Sequence, residues 1–265
     1  MPTVLLVRHG RTNANTGGTL AGWTPGISLD EKGMDQARRL GERIAQADLT
    51  VCRVVTSPLQ RCRETAAAVL DRLGGQPGGH PGGPGIPLQV DERLGECRYG
   101  AWTGRPIPEL VKEPLWRTVQ DHPSAVVFPD DAQWPGESMA GMQERAVRAV
   151  REVDAQVRAE HGEQGLWIAV SHGDVIKAIL ADALGVHLDL FQRIHVDPAS
   201  TSVVRYTDRR PFVLRTNDVG GDLCGVAPAP QPSADAVVGG GAGPDDLVAD
   251  GSAESAEGGS PAPVG

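Results

Sequence analysis

Two histidines in matching sequence contexts are the first candidates for chemistry in this chain. An apolar run at residues 4–7 leads into Arg8-His9-Gly10, and a second at 166–170 leads through a serine into His172-Gly173. Such runs predict buried parallel strands, and open α/β sheets bind ligands outside the carboxyl ends of these strands. If the two strands are neighbours, the imidazoles converge above the sheet. A neutral imidazole is a competent nucleophile towards phosphorus, so the pair is suited to phosphoryl chemistry.

Two arginines and an amide occupy similar positions. Arg8 ends the first strand, and Arg61 falls in the first turn of the helix predicted after a strand at residues 51–57. Guanidinium groups match phosphate oxygens with forked donors, and the free N–H groups of a helix N-terminus favour anions. Asn15 offers a further donor, and Glu96 is the candidate acid for a leaving alkoxide. Because no acidic cluster suggests a divalent metal, arginine and histidine must neutralise the charge of a transferred phosphoryl group.

Alternating strand and helix signals predict an α/β fold that holds these residues. Ser28 or Asp30 is the N-cap of the first long helix, and Pro58 suits the first turn of the next. A long amphipathic helix is predicted at 137–161. The remaining elements are strands at 86–90 and 166–171, a helix from 173 to about 184, and a closing hairpin at 202–206 and 211–215.

Two stretches interrupt this pattern. Residues 74–85 have the sequence GGQPGGHPGGPG, a composition that cannot form a core, and we expect His80 within it to be a solvated loop residue. Six prolines divide residues 106–135, which predicts short helices that form a lid over the site.

The charge of the chain is unevenly distributed. The net charge is −9, but residues 218–265 contain eight acidic residues and no Lys or Arg, which leaves 26 acidic against 25 basic residues in 1–217. The C-terminal stretch has no aromatic residue and is dominated by Gly, Pro, Ala, Ser and Asp. We therefore expect a domain at 1–217 and a disordered tail at 218–265. A nearly neutral domain does not resemble a nucleic-acid-binding protein.

Simple features also argue against several other classes of protein. The sequence contains no stretch as long and apolar as a membrane span, and its N-terminus lacks the pattern of a signal peptide. The four cysteines form no CxxC pair and no zinc spacing, so we expect reduced thiols. The expectation is a cytoplasmic monomer or homodimer that acts on a small phosphorylated substrate, with no cofactor, metal, nucleic acid or membrane as partner.

Five segments, in order along the chain, resemble the motifs of the histidine phosphatase superfamily, in the branch that includes cofactor-dependent phosphoglycerate mutases. They are Arg8-His9-Gly10-Arg11-Thr12 with Asn15, residues 56–65 (TSPLQRCRET), Leu94-Gly95-Glu96 followed by 99–104 (YGAWTG), 135–138 (PGES) and 170–173 (VSHG). The resemblance extends over residues 4 to about 206. It implies a three-layer α/β/α sandwich with a mostly parallel central sheet, similar to phosphoglycerate mutase.

The resemblance also implies roles for individual residues. His9 is the nucleophile that forms a phosphohistidine, and Glu96 is the proton donor and then the base that activates water. The phosphate pocket is formed by Arg8, Asn15, Arg61, His172 and Gly173.

Two positions depart from these motifs. Position 11 is usually acidic, and here it is Arg11. We interpret this as a surface substitution; the alternative is an added positive charge that favours polyanionic substrates. Cys62 replaces a common alanine, and we expect it to pack in the core.

Three functions are open at this point. A mutase must shield its phosphohistidine from water and hold phosphoglycerate with extra basic residues, but residues 105–134 contain only Arg105, Lys112 and Arg117 as basic residues. We therefore favour a metal-independent phosphomonoester hydrolase that works through a phosphohistidine on a small phosphorylated metabolite. A phosphomutase of the phosphoglycerate mutase type is the first alternative. A non-catalytic phosphate binder is the second, although a binder has no use for a proton donor such as Glu96.

Overall fold

One six-stranded sheet organises the computed structural model, which describes residues 2–74, 85–221 and 235–242. In chain order the strands are β1 (Thr3–Arg8), β2 (Val51–Thr56), β3 (Leu88–Val90), β4 (Leu166–Ser171), β5 (Thr201–Tyr206) and β6 (Pro211–Asp218). Their spatial order is β3-β2-β4-β1-β5-β6. The first four pair in parallel, and β5 runs antiparallel to both β1 and β6. The expectation of a mostly parallel sheet with a hairpin at its edge is confirmed.

α-Helices connect the strands and cover both faces of the sheet. In chain order they are α1 (Asn13–Thr16), α2 (Glu31–Gln46), α3 (Gln60–Arg72), α4 (Ile107–Leu110), α5 (Leu115–Asp121), α6 (Met139–His161) and α7 (Gly173–Leu184). Two of them, α4 and α5, are short helices of the kind expected in the proline-rich stretch at 106–135.

Alternate residues of β1 face opposite helical layers. Val4 and Leu6 lie in a core shared with α6 and α7, whereas Leu5 and Val7 lie in a core shared with α2 and α3. All four are at most 7% exposed. Because successive side chains of a strand point to opposite faces, a strand buried on both faces must be apolar throughout. The fold is therefore the three-layer α/β/α sandwich that was expected.

The starts of two helices settle details left open by the sequence. Asp30, one of the two candidates, is the N-cap of α2, and its carboxylate accepts a backbone N–H of the first turn at 2.7 Å. Pro58 lies outside α3, so the expectation that it occupies the first turn is wrong. The helix begins two residues later because Ser57 Oγ accepts the N–H of Leu59 at 3.3 Å and holds these residues in a separate turn.

The start of α6 holds the loop that carries Glu96. The helix begins at Met139 with Ser138 as its N-cap, two residues later than the predicted start. Glu137 instead accepts from Arg145 Nε at 2.9 Å. Arg145 in turn donates to the backbone carbonyl of Glu96 at 3.0 Å. This ion pair therefore fixes one side of the candidate acid's loop to the first turns of α6.

Residues 235–242 pack against the domain, in contrast to the disordered tail expected over 218–265. Val238 is only 2% exposed, and the N–H of Gly239 donates to Asp174 Oδ2 at 2.9 Å. Backbone atoms and glycines provide much of the docking, and they leave no periodic apolar pattern in the sequence. Composition therefore could not distinguish these eight residues from their neighbours.

Parts of several expectations fall outside the described residues. His80 and most of the Gly/Pro-rich stretch, 75–84, lie outside them, as do 222–234 and 243–265 of the C-terminal stretch. Strand β6 continues to Asp218, one residue past the expected domain boundary. Within the described ranges, the structure contains no helix with both the length and the apolar character needed to cross a membrane.

Candidate active site

The two candidate histidines meet at the carboxyl ends of adjacent strands. Strands β1 and β4 are parallel neighbours, with Arg8 level with Ser171. The N–H of His9 donates to the Ser171 carbonyl at 3.0 Å, which continues the pairing one residue beyond the strand. The imidazole centroids of His9 and His172 lie 5.3 Å apart. The convergence expected from two matching strand ends is present.

Gly10 lets helix α2 approach the end of β1. A Cβ built on Gly10 would lie 2.4 Å from the carbonyl oxygen of Gly33, a contact that no side chain tolerates. The Gly10 N–H donates to Thr65 Oγ1 at 3.0 Å, which ties the same turn to α3. The glycine of the Arg-His-Gly sequence is thus required by packing, and it fixes the turn that presents His9.

The hydrogen bonds of His9 fix its tautomer. Its Nδ1 lies 2.7 Å from the Gly10 carbonyl, which can only accept, so Nδ1 carries the proton. Its Nε2 accepts from Arg61 Nε at 3.2 Å and is therefore unprotonated. Burial lowers the pKa of His9 well below its usual value, and the charges of Arg61 and Arg8 lower it further. The ring is held neutral, with the lone pair of Nε2 directed into the site.

Arg61 joins the two histidines. Its Nη2 lies 3.1 Å from His172 Nδ1 and donates to the Gly22 carbonyl at 3.0 Å. A guanidinium only donates, so His172 Nδ1 is the acceptor and the proton of this ring is on Nε2. That proton is donated to Ser57 Oγ, 2.8 Å away. Ser57 lies in the motif at residues 56–65, but the spacing of that motif does not reveal its contact with His172.

The pKa of His172 is lowered well below its usual value. Burial is the main cause, and Arg61 is the largest charge that acts in the same direction. The second imidazole is therefore also neutral and acts as a dipole beside the site. Its side chain is fully buried.

Glu96 is a buried carboxyl group with a raised pKa. It is 3% exposed, its Oε1 accepts the N–H of Cys97 at 2.9 Å, and its Oε2 lies 3.8 Å from His172 Nδ1. Burial raises the pKa of Glu96 to about 7, with a further rise from the charge of Asp174 and an opposing effect of Arg61. A carboxyl group with this pKa is substantially protonated at neutral pH and can donate its proton.

Four of the predicted site residues line one small cavity. They are His9, Asn15, Arg61 and Glu96. The Oδ1 of Asn15 accepts from the backbone N–H and the hydroxyl of Thr12 at 3.0 and 2.9 Å, so its amide NH₂ is the group that can donate to a ligand. Residues 238–240 close another side of the cavity, whose volume is about 20 Å³.

Arg8, His172 and Gly173 adjoin this cavity without lining it. Arg8 Nη1 donates to the Val196 carbonyl at 2.9 Å, and its Nη2 donates to the carbonyls of Gly240 and Gly241 at 3.1 and 2.9 Å. Its buried Nε has no hydrogen-bond partner among the described residues. The resemblance assigned Arg8 to the phosphate pocket, and in this structure Nε is one donor available for that use.

The two positions that departed from the family motifs are both engaged in structure. Arg11 Nε donates to Asp30 Oδ2 at 2.8 Å, so this side chain supports the N-cap of α2. Cys62 is fully buried, with its Sγ 3.4 Å from His172 Nε2. Burial raises the pKa of the Cys62 thiol to about 12, so it packs as a neutral group. Among the described residues, no three His, Cys, Asp or Glu side chains are grouped so that they could hold a metal ion.

The fold and the cluster at its strand ends define an α/β enzyme of histidine-dependent phosphoryl transfer. Residues 4–219 match the model of the histidine phosphatase superfamily (branch 1), and the chain belongs to this family. Phosphoserine phosphatase 1 of Hydrogenobacter thermophilus is 28% identical over 218 residues, which cover 82% of this chain and 92% of that protein.

Two further relatives support the same assignment. The 2,3-bisphosphoglycerate-dependent phosphoglycerate mutase of Caulobacter vibrioides is 28% identical over 222 residues, which cover 77% of this chain and 89% of that protein. Among solved structures, Bacillus stearothermophilus YhfR superposes with a TM-score of 0.68 at 27% identity, covering 83% of this chain and 98% of that one. The similarity to phosphatase and mutase alike leaves the choice between hydrolysis and transfer to the details of the site.

Proposed function

We propose that this protein hydrolyses phosphomonoesters of small metabolites through a phosphohistidine formed on His9. The chain is a histidine-dependent phosphatase by family. The observation that carries the proposal is that one cluster holds both an unprotonated histidine nitrogen and a carboxyl group with a raised pKa. His9 keeps an unprotonated Nε2, while burial raises the pKa of Glu96 to about 7. A nucleophile and an acid are thus both ready at neutral pH.

In the first step His9 Nε2 attacks the phosphorus atom of the bound ester. The ester P–O bond breaks as the N–P bond forms, and Glu96 gives its proton to the departing alkoxide oxygen. Arg61 Nε, which donates to His9 Nε2 in this structure, then donates to a phosphoryl oxygen. Arginine, neutral imidazole and amide donors stabilise the charge on the equatorial oxygens of the transferred group.

In the second step water replaces the nitrogen. The Glu96 carboxylate removes a proton from the water as its oxygen attacks phosphorus, and the N–P bond breaks. Inorganic phosphate leaves, His9 regains its lone pair, and Glu96 is again protonated. Each proton lost in the first step is therefore recovered in the second.

The distribution of basic residues favours hydrolysis over transfer between phosphoglycerates. Arg61 is the basic residue that lines the cavity, within the described ranges. In the lid, Arg105 is paired with Glu113 at 2.7 Å, and Arg117 is paired with Asp235. Neither of these arginines lines the cavity. A mutase needs additional cations to hold the second acidic group of its substrate.

The cellular setting is part of the same proposal. Cys52, Cys62 and Cys97 are free thiols, which is usual for proteins of the reducing cytoplasm. We place the enzyme there, as a monomer or homodimer that acts on a small phosphorylated molecule.

The test combines turnover with trapping of the intermediate. The purified protein is given a ³²P-labelled phosphomonoester and quenched in alkali, and release of phosphate is measured in parallel. We expect acid-labile, base-stable label on the wild-type protein and none on His9→Ala. The matched control is His187→Ala, because the His187 side chain is 67% exposed. Labelling of His9→Ala would show that the nucleophile is wrong, and faster transfer to 3-phosphoglycerate than to water would make the protein a mutase.

A further inference from the structure

The C-terminal segment, residues 235–242 (DAVVGGGA), lies across the mouth of the candidate active site. Its first residue is held by the lid. The Asp235 carboxylate accepts from Trp116 Nε1 at 3.0 Å and forms a short ion pair with Arg117. Trp116 and Arg117 both belong to helix α5, so this helix of the lid binds the acidic end of the segment.

The next residues of the segment are fixed by a reciprocal pair of hydrogen bonds. Gln120 Nε2 donates to the Ala236 carbonyl at 3.0 Å, and the Ala236 N–H donates to Gln120 Oε1 at 2.9 Å. Beyond them, Val238 is 2% exposed, whereas its neighbour Val237 is 48% exposed. One valine is therefore inserted into the domain while the other faces solvent, and this difference supplies a matched pair for mutation.

Two glycines bring the backbone of the segment against the site. Gly239 and Gly240 both have φ of +77°, a left-handed conformation that favours glycine. A Cβ on Gly240 would lie 2.8 Å from Arg8 Cζ, and one on Gly239 would lie 3.0 Å from Leu20 Cδ1. Larger residues at these positions would push the segment away. The Gly-Gly pair is what permits its close approach.

The carbonyl oxygens of the segment lie against two groups that the family resemblance assigns to phosphate binding, Arg8 and Gly173. Arg8 Nη2 donates to the carbonyls of Gly240 and Gly241 at 3.1 and 2.9 Å. The Gly239 carbonyl oxygen lies 3.1 Å from where a Cβ of Gly173 would be, at the first residue of helix α7. A helix N-terminus and a guanidinium both attract negative charge, and here peptide oxygens supply it.

The remaining space is too small for a substrate. The cavity bounded by His9, Arg61, Glu96 and residues 238–240 has a volume of about 20 Å³. A water molecule needs about 10–15 Å³ of such volume, so the cavity holds about one water and no phosphoryl ester. Residues 238–240 thus occupy part of the space that a phosphorylated ligand needs in order to reach His9.

We propose that the C-terminal segment is an internal ligand of the active-site mouth and competes with phosphorylated substrate. The surface that takes it consists of the lid face of α5, Asp174 and the guanidinium of Arg8. The inference rests on the proposed function only for the identity of the ligand that is excluded. Because the segment belongs to the same chain, its binding is intramolecular. The apparent affinity for substrate is the intrinsic affinity multiplied by the fraction of molecules with an open site.

The first experiment compares Val238→Asp with Val237→Asp in the full-length chain. A buried carboxylate without a partner disfavours docking, whereas the same charge at the exposed position does not. For Val238→Asp we expect a decrease of about tenfold in the dissociation constant of inorganic phosphate, measured by calorimetry, as when the segment is seated in about 90% of molecules. The KM for p-nitrophenyl phosphate should fall by the same factor with little change in kcat. Val237→Asp should match wild type in both.

A second variant and a peptide test whether the effect comes from release of the segment and not from the new charge at position 238 itself. Gly240→Ala should reproduce the behaviour of Val238→Asp, because a φ of +77° is strained for alanine and the added methyl group meets the Arg8 guanidinium. The peptide DAVVGGGA, added to Val238→Asp, should inhibit competitively against phosphate, and the same peptide with alanine in place of Gly240 should not. Melting temperatures verify that each variant is folded.

The outcomes separate this inference from the proposed function. Unchanged or weaker phosphate binding in both segment variants, or a loss of kcat, would overturn the inference, since the segment would then be inert or part of the catalytic site. If phosphate binding tightens but no variant hydrolyses an ester or takes up label, the proposed function fails while the competition stands. If the free peptide leaves the phosphate affinity of Val238→Asp unchanged, the mouth is not a docking surface for it.

Discussion

Arg61 Nε donates a hydrogen bond to His9 Nε2 across 3.2 Å, so a guanidinium contacts the atom that is proposed to attack phosphorus. The same charge lowers the pKa of His9 and opposes the rise in the pKa of Glu96. Burial is the larger cause of both pKa shifts, and Arg61 adjusts the pH range in which nucleophile and acid are ready together. It also blocks protonation of Nε2 until a phosphoryl oxygen takes over its N–H.

Replacement of Arg61 should shift the pH profile as well as reduce the rate. Activity requires neutral His9 and protonated Glu96, so the wild-type kcat/KM should fall as pH rises through about 7, the pKa of Glu96. Arg61→Gln removes a charge that lowers both pKa values, so both limbs of the profile should move to higher pH. Loss of one donor to the transition state should reduce kcat/KM by about 10²–10³-fold.

Arg61→Lys is the control for this prediction. It keeps the charge but loses the forked geometry, so the rate should fall while the limbs stay near their wild-type positions. The test is to measure kcat/KM from about pH 4 to 9 for wild type and both Arg61 variants and to compare the positions of the two limbs. Equal limb positions in all three proteins would show that Arg61 does not control protonation at the site.

Glu96→Gln should distinguish between esters by their leaving groups. The amide keeps the acceptor for the Cys97 N–H but cannot protonate an alkoxide. Alkyl phosphates should lose about 10²–10⁴ in rate, the usual effect of a general acid, whereas p-nitrophenyl phosphate should lose far less. Glu109→Gln is the control, because this lid carboxylate is 59% exposed. Equal slowing of both ester classes would exclude Glu96 as the leaving-group acid.

The central part of the site could be predicted from the sequence because an apolar run followed by polar residues and glycine marks the end of a strand. Each apolar strand of β1 and β4 ends in a His-Gly pair, and parallel neighbours bring such ends together at one edge. Arg61 was predictable for a related reason, since it lies in the first turn of α3. Glu96 has no such signal. Its loop is placed by Arg145 and Trp23 through backbone contacts, and it was a candidate because the chemistry needs an acid, a role that the family resemblance also implies.

The C-terminal segment shows what the sequence could not reveal. Its docking depends on Gly239 and Gly240, which approach the site closely because they have no side chain. It also depends on peptide carbonyls, which every residue possesses. Composition alone suggests a disordered chain there. The contacts that contradict this come from Arg8, Gln120 and Asp174, which are distant in sequence and carry no pattern that points to the segment.

Arg11 provides a test of whether its charge serves substrate or structure. Its Nε donates to Asp30, the N-cap of α2, and both side chains are less than one-fifth exposed. Arg11→Gln should therefore lower the free energy of unfolding by about 1 kcal/mol. The ratio of kcat/KM for bisphosphorylated and monophosphorylated substrates should not change. Arg38→Gln, which breaks the exposed pair with Asp35, should have a smaller effect on stability. A changed substrate ratio in Arg11→Gln would mean that Arg11 selects polyanions.

The buried Glu96 should reduce stability at neutral and alkaline pH. Its pKa is raised from 4.5 to about 7 in the folded protein. A raised pKa means that the folded state holds its proton more tightly than the unfolded state. The stabilisation is complete below about pH 4.5 and is lost as pH rises through about 7.

Glu96→Gln removes this dependence and should reveal its size. One pKa unit corresponds to about 1.4 kcal/mol, so the variant should exceed wild type by about 3 kcal/mol in free energy of unfolding at pH 8. At pH 4.5 the two should differ little, because both then carry a neutral side chain at this position. Urea unfolding at the two pH values measures the difference, with Glu109→Gln as the control for loss of an exposed charge. A stability gain in Glu96→Gln that is the same at both pH values would show that its cause is packing, and that the carboxyl group does not titrate near pH 7 in the folded protein.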